Sequence, residues 1–250
     1  MKSTVLLEVC ANSITSALAA QDGGAARVEL CENLYEGGTT PSYGEILQAR
    51  KLLHIKLYVL IRPRGGDFLY TDLEFEVMLA DVRHCIEAGC DGIVIGMLNA
   101  DGTVDKPRCA ELVNLAKQWR VGVTFHRAFD MCADMYQALE DIIELGCERI
   151  LTSGGKSTAM EGVNTIAHLV EKAAGRIQIM PGSGVAEKNV SDLVKFTGVT
   201  EVHSSARVRV KSKMSYKNTH IMMGSDYTDE YSIDVTDTER VKGILKMANS

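Results

Sequence analysis

The sequence has little of what marks several large function classes. It carries one tryptophan, five phenylalanines and four prolines. Neither an aromatic platform for stacking bases nor a proline-rich recognition segment is written into it. Positive charge is in deficit: 27 Lys and Arg stand against 33 Asp and Glu, for a net charge of −6. With no basic stripe, nothing draws the chain to nucleic acid or to an anionic membrane surface, and neither is expected as a partner. No apolar stretch approaches the roughly 20 residues of a membrane-spanning helix. Met1 to Leu7 carry one lysine and a brief apolar run that meets Glu8 at once, which does not read as a secretory leader. No GxGxxG follows the first strand candidate and no Walker A motif occurs, which argues against the dinucleotide and P-loop classes.

Cysteine is present without a pairing pattern. Cys10, Cys31, Cys85, Cys90, Cys109, Cys132 and Cys147 are seven, an odd number, with no CxxC. That argues against a disulfide framework and for reduced thiols in an intracellular compartment.

What is there is a regular alternation. Eight short apolar runs read as strands: Leu6 to Cys10, Arg27 to Cys31, Leu57 to Arg62, Gly92 to Gly96, Val121 to His126, Arg149 to Thr152, Ile177 to Met180 and Glu201 to Ser204. They recur about every 28 residues, one βα unit each. Helical patterns lie between them. Asn12 and Ser13 suit an N-cap, Thr40 and Pro41 suit an N-cap followed by proline at the first helical position, and Thr71 with Glu74 has capping-box spacing. Met135 to Leu145 is closed by Gly146. Short apolar strands separated by amphipathic helices mean a parallel sheet buried on both faces. Eight units in 250 residues predict an α/β fold of one domain, a (β/α)8 TIM barrel over residues 1–250. The polar stretch Arg207 to Tyr231 reads as a long loop, at about 206–234. Its Met222-Met223 pair would pack on the barrel or on a second subunit. Val235 to Met247 then reads as a closing helix.

In such a barrel the C-terminal strand ends carry function. Those ends are unusually charged here. Strand one ends in Glu8 and Cys10, strand two in Glu29 and Cys31, and strand three in Arg62 and Arg64. Strand five runs into His126, Arg127 and Asp130, and strand eight carries Glu201 and His203. Side chains alternate along a strand, so Glu8 shares a face with Cys10, Glu29 with Cys31, and Glu201 with His203. A lumen holding these carboxylates needs counter-charges, which Arg62 and His126 would supply.

Two chemistries follow. One is an enzymatic site for a small anionic or phosphorylated substrate: a lyase, isomerase or hydrolase using Glu8, Glu29, Arg62, His126, Arg127, Asp130 and His203. Arg62, Arg64 and Arg127 would grip its oxygens. Backbone N–H groups at Ser153-Gly154 and Gly182-Ser183-Gly184 would cradle phosphate. The other is a soft-metal site, with Cys10 and Cys31 offering thiolates to Cu(I) and His126 or His203 a nitrogen.

The motifs also carry a resemblance. They are Leu7-Glu8-Val9-Cys10, Arg27-Val28-Glu29-Leu30-Cys31, Arg62-Pro63-Arg64-Gly65-Gly66-Asp67-Phe68, Thr124-Phe125-His126-Arg127-Ala128-Phe129-Asp130, Ile150-Leu151-Thr152-Ser153-Gly154 and Met180-Pro181-Gly182-Ser183-Gly184. Together they resemble the CutC copper homeostasis family over nearly the whole chain, and the chain is similar to its animal members. The one departure is Ser183, where the family pattern takes glycine as often as serine. The resemblance implies a (β/α)8 barrel that self-associates as a dimer or tetramer, in the cytoplasm and also the nucleus. It implies Cu(I) as ligand, on the cysteines matching Cys10 and Cys31, in intracellular copper handling.

Overall fold

The computed structural model describes residues 4–218, 220, 221, 223 and 229–250. Eight parallel strands form its centre: β1 (Leu6–Ala11), β2 (Arg27–Leu30), β3 (Lys56–Leu60), β4 (Gly92–Ile95), β5 (Gly122–Phe125), β6 (Arg149–Thr152), β7 (Gln178–Pro181) and β8 (Glu201–Ser204). They are laddered in the order β7-β6-β5-β4-β3-β2-β1-β8. β7 also lies against β8 without a ladder between them, so the sheet is a nearly closed barrel. Around it run α1 (Ile14–Asp22), α2 (Tyr43–Leu52), α3 (Asp72–Glu87), α4 (Lys106–Gln118), α5 (Met135–Leu145), α6 (Val163–Ala173), α7 (Val190–Thr197) and α8 (Thr238–Ala248). The expected (β/α)8 barrel is therefore the fold. No helix among the described residues is long and apolar enough to cross a membrane.

The two faces of each strand bury different chemistry. Leu7, Val9, Val28, Leu30, Leu57, Val59, Ile93 and Phe125 belong to the apolar layer shared with the helices. The alternate positions, among them Glu8, Arg27, Glu29, Thr124, Arg149, Glu201 and His203, are equally buried but polar. Tyr58 reaches across this lumen because β4 and β5 present glycines to it. A Cβ at Gly92 would overlap the Tyr58 ring, and one at Gly122 its hydroxyl. Gly92→Ala should therefore cost about 1–3 kcal/mol by overpacking. Chemical denaturation checks this, and the cost should shrink in a Tyr58→Leu background; an unchanged cost there would reject the steric account.

Helix boundaries mostly follow local signals. Thr71 and Glu74 form the expected capping box on α3, and Gly146 closes α5 in the left-handed region. Ser13 caps α1. The start of α2 differs from expectation. Ser42, not Thr40, is its N-cap, accepting from the Glu45 N–H at 3.2 Å. Thr40 is drawn instead to the end of β3, where its N–H donates to the Arg62 carbonyl and its hydroxyl accepts from the Arg62 N–H.

The stretch after β8 also differs. Two strands, β9 (Arg207–Lys211) and β10 (Ser232–Thr236), pair antiparallel within what reads as a loop. Val235 is consequently a strand residue. The last helix begins at Thr238, after Asp237 caps it by accepting from the Arg240 N–H. Met223 is 86% exposed, so it packs on no barrel surface. Met222 lies outside the described residues.

Candidate functional site

The lumen is built in two storeys. At the lower one, Arg27 donates from Nε to Glu8 and from Nη2 to Glu201 at 2.5 Å. Arg149 donates from Nε to the same Glu201 at 3.0 Å and from Nη1 to Thr124. Both guanidinium groups lie about the Tyr58 ring, 5.1 and 5.2 Å from its centroid. The counter-charges to the buried carboxylates are thus Arg27 and Arg149, not Arg62 and His126. Burial alone would raise the Glu8 pKa. The Arg27 charge, with hydrogen bonding from His203, reverses this and holds it at about 2.

The upper storey gathers sulfur, nitrogen and oxygen. Cys10 Sγ lies 3.4 Å from Cys31 Sγ. His203 joins Glu8 Oε1 through Nδ1 at 2.8 Å, which turns its Nε2 to within 3.6 Å of Glu29 Oε2. One ligand atom each from Cys10, Glu29 and His203 falls within a 4.8 Å cluster. Burial would depress the His203 pKa, but hydrogen bonds to Cys10 and Glu8 and the Glu29 charge raise it well above its ordinary value. The hydrogen bond to Cys31, then burial, keep the Cys10 thiol protonated. Strand register explains the convergence: Cys10 stands opposite Glu29 on β2, and Glu8 opposite His203 on β8. Of the two histidines offered as nitrogen ligands, His203 is the one in the cluster.

The thiol pair fits a soft ion. Two sulfurs with bonds of about 2.3 Å to a tetrahedral centre stand roughly 3.8 Å apart, so 3.4 Å needs only a small spreading. Sulfur with imidazole is the donor set for Cu(I) or Zn(II) rather than a hard cation. Glu8 on the far nitrogen of His203 fixes that ring in the way outer carboxylates orient metal-binding imidazoles.

The remaining anticipated residues divide sharply. Arg64 is engaged by Glu74, Asp67 and the Leu69 carbonyl, so it organises its own loop. Arg127 donates to Asp130 at 2.7 Å and to Ser153 Oγ at 2.8 Å. Asp130 in turn fills the turn after β6. Its carboxylate accepts from the Ser153 and Gly155 N–H groups at 3.0 Å and from the Thr152 hydroxyl at 2.5 Å. The expected phosphate cradle at Ser153-Gly154 is therefore occupied by an anion of the chain itself. Gly154 N–H is also taken, by Thr152 Oγ1.

After β7, the Gly182 N–H donates to the Thr152 carbonyl. Ser183 and Gly184 both sit at φ +72°, which is why glycine suits the Ser183 position. Both line a wide cavity of about 590 Å³ at the mouth, with Arg127, Arg207 and Arg209. Arg62 donates through Nη1 to the Glu36 and Gly38 carbonyls and through Nη2 to that of Gly66, clamping two loops together. His126 caps the short turn Arg127–Met131, accepting from the Ala128 N–H at Nδ1. Arg62 and His126 line a smaller cavity of about 130 Å³ that also touches Cys10, Glu29 and His203.

Residues 5–208 match the family model described as the CutC family. A CutC family protein of Bacteroides fragilis is 49% identical over 247 residues, covering 98% of each chain. A copper homeostasis protein cutC homolog of mouse is 47% identical over 244 residues, 97% of this chain and 89% of the relative. Among solved structures, a CutC protein of Streptococcus agalactiae superposes with a TM-score of 0.76 at 36% identity, covering 80% of this chain and 98% of that one.

Proposed function

The chain belongs to the CutC family, and on that premise we propose that it serves intracellular copper homeostasis by holding Cu(I) at Cys10 and Cys31. The observation that carries the reading is the pair of thiols 3.4 Å apart, at the ends of adjacent strands, Cys10 on β1 and Cys31 immediately after β2, with His203 beside Cys10. Copper is cargo here. Both thiols must lose their protons to hold it, and His203, once deprotonated, supplies the third donor. Cys31 is almost wholly buried and Cys10 half-buried, so the ion would enter past Cys10 and be screened from water beneath it.

Support for the copper reading also comes from the mouse relative's name. Self-association as a dimer or tetramer, and residence in the cytoplasm and nucleus, belong to the same reading; sedimentation of the purified chain and imaging of the tagged protein test them. The decisive experiment is an anaerobic Cu(I) titration of the reduced protein against a competing chelator. The expected result is one tightly held ion per chain. Cys10→Ser/Cys31→Ser should lose it while keeping the circular dichroism of the barrel. Stoichiometric tight binding in that variant would overturn the assignment.

A further inference from the structure

Three buried polar atoms among the described residues have no hydrogen-bond partner: Arg62 Nε, Tyr70 Oη and His126 Nε2. An orphaned donor in a protein interior costs about 1–3 kcal/mol, so a pair of them on one cavity points to something that satisfies both. Arg62 and His126 line the same 130 Å³ cavity. They flank Phe68, whose ring centroid is 5.0 Å from the His126 ring and 5.0 Å from the Arg62 guanidinium carbon.

The protonation state of His126 is set by its backbone. Nδ1 accepts from the Ala128 N–H at 3.0 Å, so Nδ1 carries no proton and the neutral ring must carry it on Nε2. The ring is seated by Gly96, where any Cβ would overlap it. Burial and the neighbouring Arg62 charge also hold its pKa down at about 3, so the ring stays a neutral donor. Arg62 gives both Nη1 hydrogens and one Nη2 hydrogen to loop carbonyls, while its buried Nε–H has no partner. Two fixed donors, one cationic and one neutral, with no acceptor of their own, make a site for an oxyanion. The volume is well below that of a drug-sized pocket, and limits the ligand to a few heavy atoms.

We propose that the cavity between β3 and β5 binds a small carboxylate, one oxygen on Arg62 Nε–H and the other on His126 Nε2–H. This site has its own ligand and its own donors, but its cavity is also lined by Cys10, Glu29 and His203, so it adjoins the proposed copper site.

The test is 15N-edited NMR of the His126 ring in the reduced full chain, titrated separately with acetate, pyruvate and inorganic phosphate. The expected starting spectrum is the Nε2–H tautomer, unchanged from neutral pH down to about pH 4. The expected response is a saturable shift of that proton with acetate or pyruvate and none with phosphate. His126→Asn keeps an acceptor for the Ala128 N–H and loses Nε2. In it, pyruvate affinity measured by calorimetry should fall about 10- to 100-fold, the worth of one hydrogen bond to a charged group. A ring protonated at Nδ1, silence toward both carboxylates, preference for phosphate, or undiminished affinity in His126→Asn would each overturn the proposal.

Discussion

Arg27→Met should destabilise the barrel by about 3–5 kcal/mol at neutral pH, because it strips the cation from two buried carboxylates while filling its volume. Glu8 would keep only His203, and Glu201 only Arg149. The pH dependence separates this account from lost packing. In the wild type, Glu8 is held at about 2, well below the unfolded value of 4.5. Its ionised form therefore adds stability above about pH 4.5, and that contribution disappears as pH falls toward 2. In Arg27→Met the principal stabiliser of the carboxylate is gone, and burial then favours the protonated form. The variant's deficit should accordingly be largest at pH 7 and narrow toward pH 4. Urea denaturation of both proteins at the two pH values measures it. Equal deficits would mean that Arg27 matters through its contacts with the Tyr58 ring and with Met180 Sδ, 3.5 Å from its Nη2, rather than through its charge. Arg27→Lys should rescue only partly, since one ammonium cannot reproduce a fork that reaches Glu8 and Glu201 together.

The barrel itself was legible because its signals are local. Eight apolar runs with helices between them need no tertiary information, and α5 and β8 have the bounds their patterns predict. Parity also worked: Glu8 with Cys10, Glu29 with Cys31 and Glu201 with His203 all turn away from the apolar layer. The same parity places Arg27 with Glu29, two residues along one strand. Its role is still not legible there, because an arginine at a strand's first position resembles a solvent-facing boundary charge. What parity cannot supply is register. Glu8 meets Arg27, and Cys10 meets Glu29, only because β1 and β2 are staggered that way. Whether a glycine turn is an open cradle is equally invisible in the turn's own sequence, since the group that fills it comes from another loop. β9 and β10 were hidden for a related reason. Their alternating Val208, Val210, Ile233 and Val235 are interleaved with charges and leave the pair partly exposed, so composition there says loop while the ladder says ribbon.

Asp130→Ala tests that filled turn. The side chain receives two backbone N–H groups, the Thr152 and Ser153 hydroxyls and the Arg127 guanidinium. Removing it leaves those donors facing an apolar methyl, at a cost of about 3 kcal/mol or more. Gly154 and Gly155, at φ +71° and +69°, hold the turn in the concave form whose N–H groups collect anions. The vacated turn should therefore accept a free carboxylate of the same shape. Formate at about ten times its Kd would return about 1.4 kcal/mol to Asp130→Ala and little to the wild type, whose turn is already filled. Thermal melts in formate against chloride of equal ionic strength read the difference. An equal rise in both proteins would show that formate acts elsewhere and that the turn collapses once Asp130 is gone. A selective rise would establish that the chain supplies its own anion to the β6 turn.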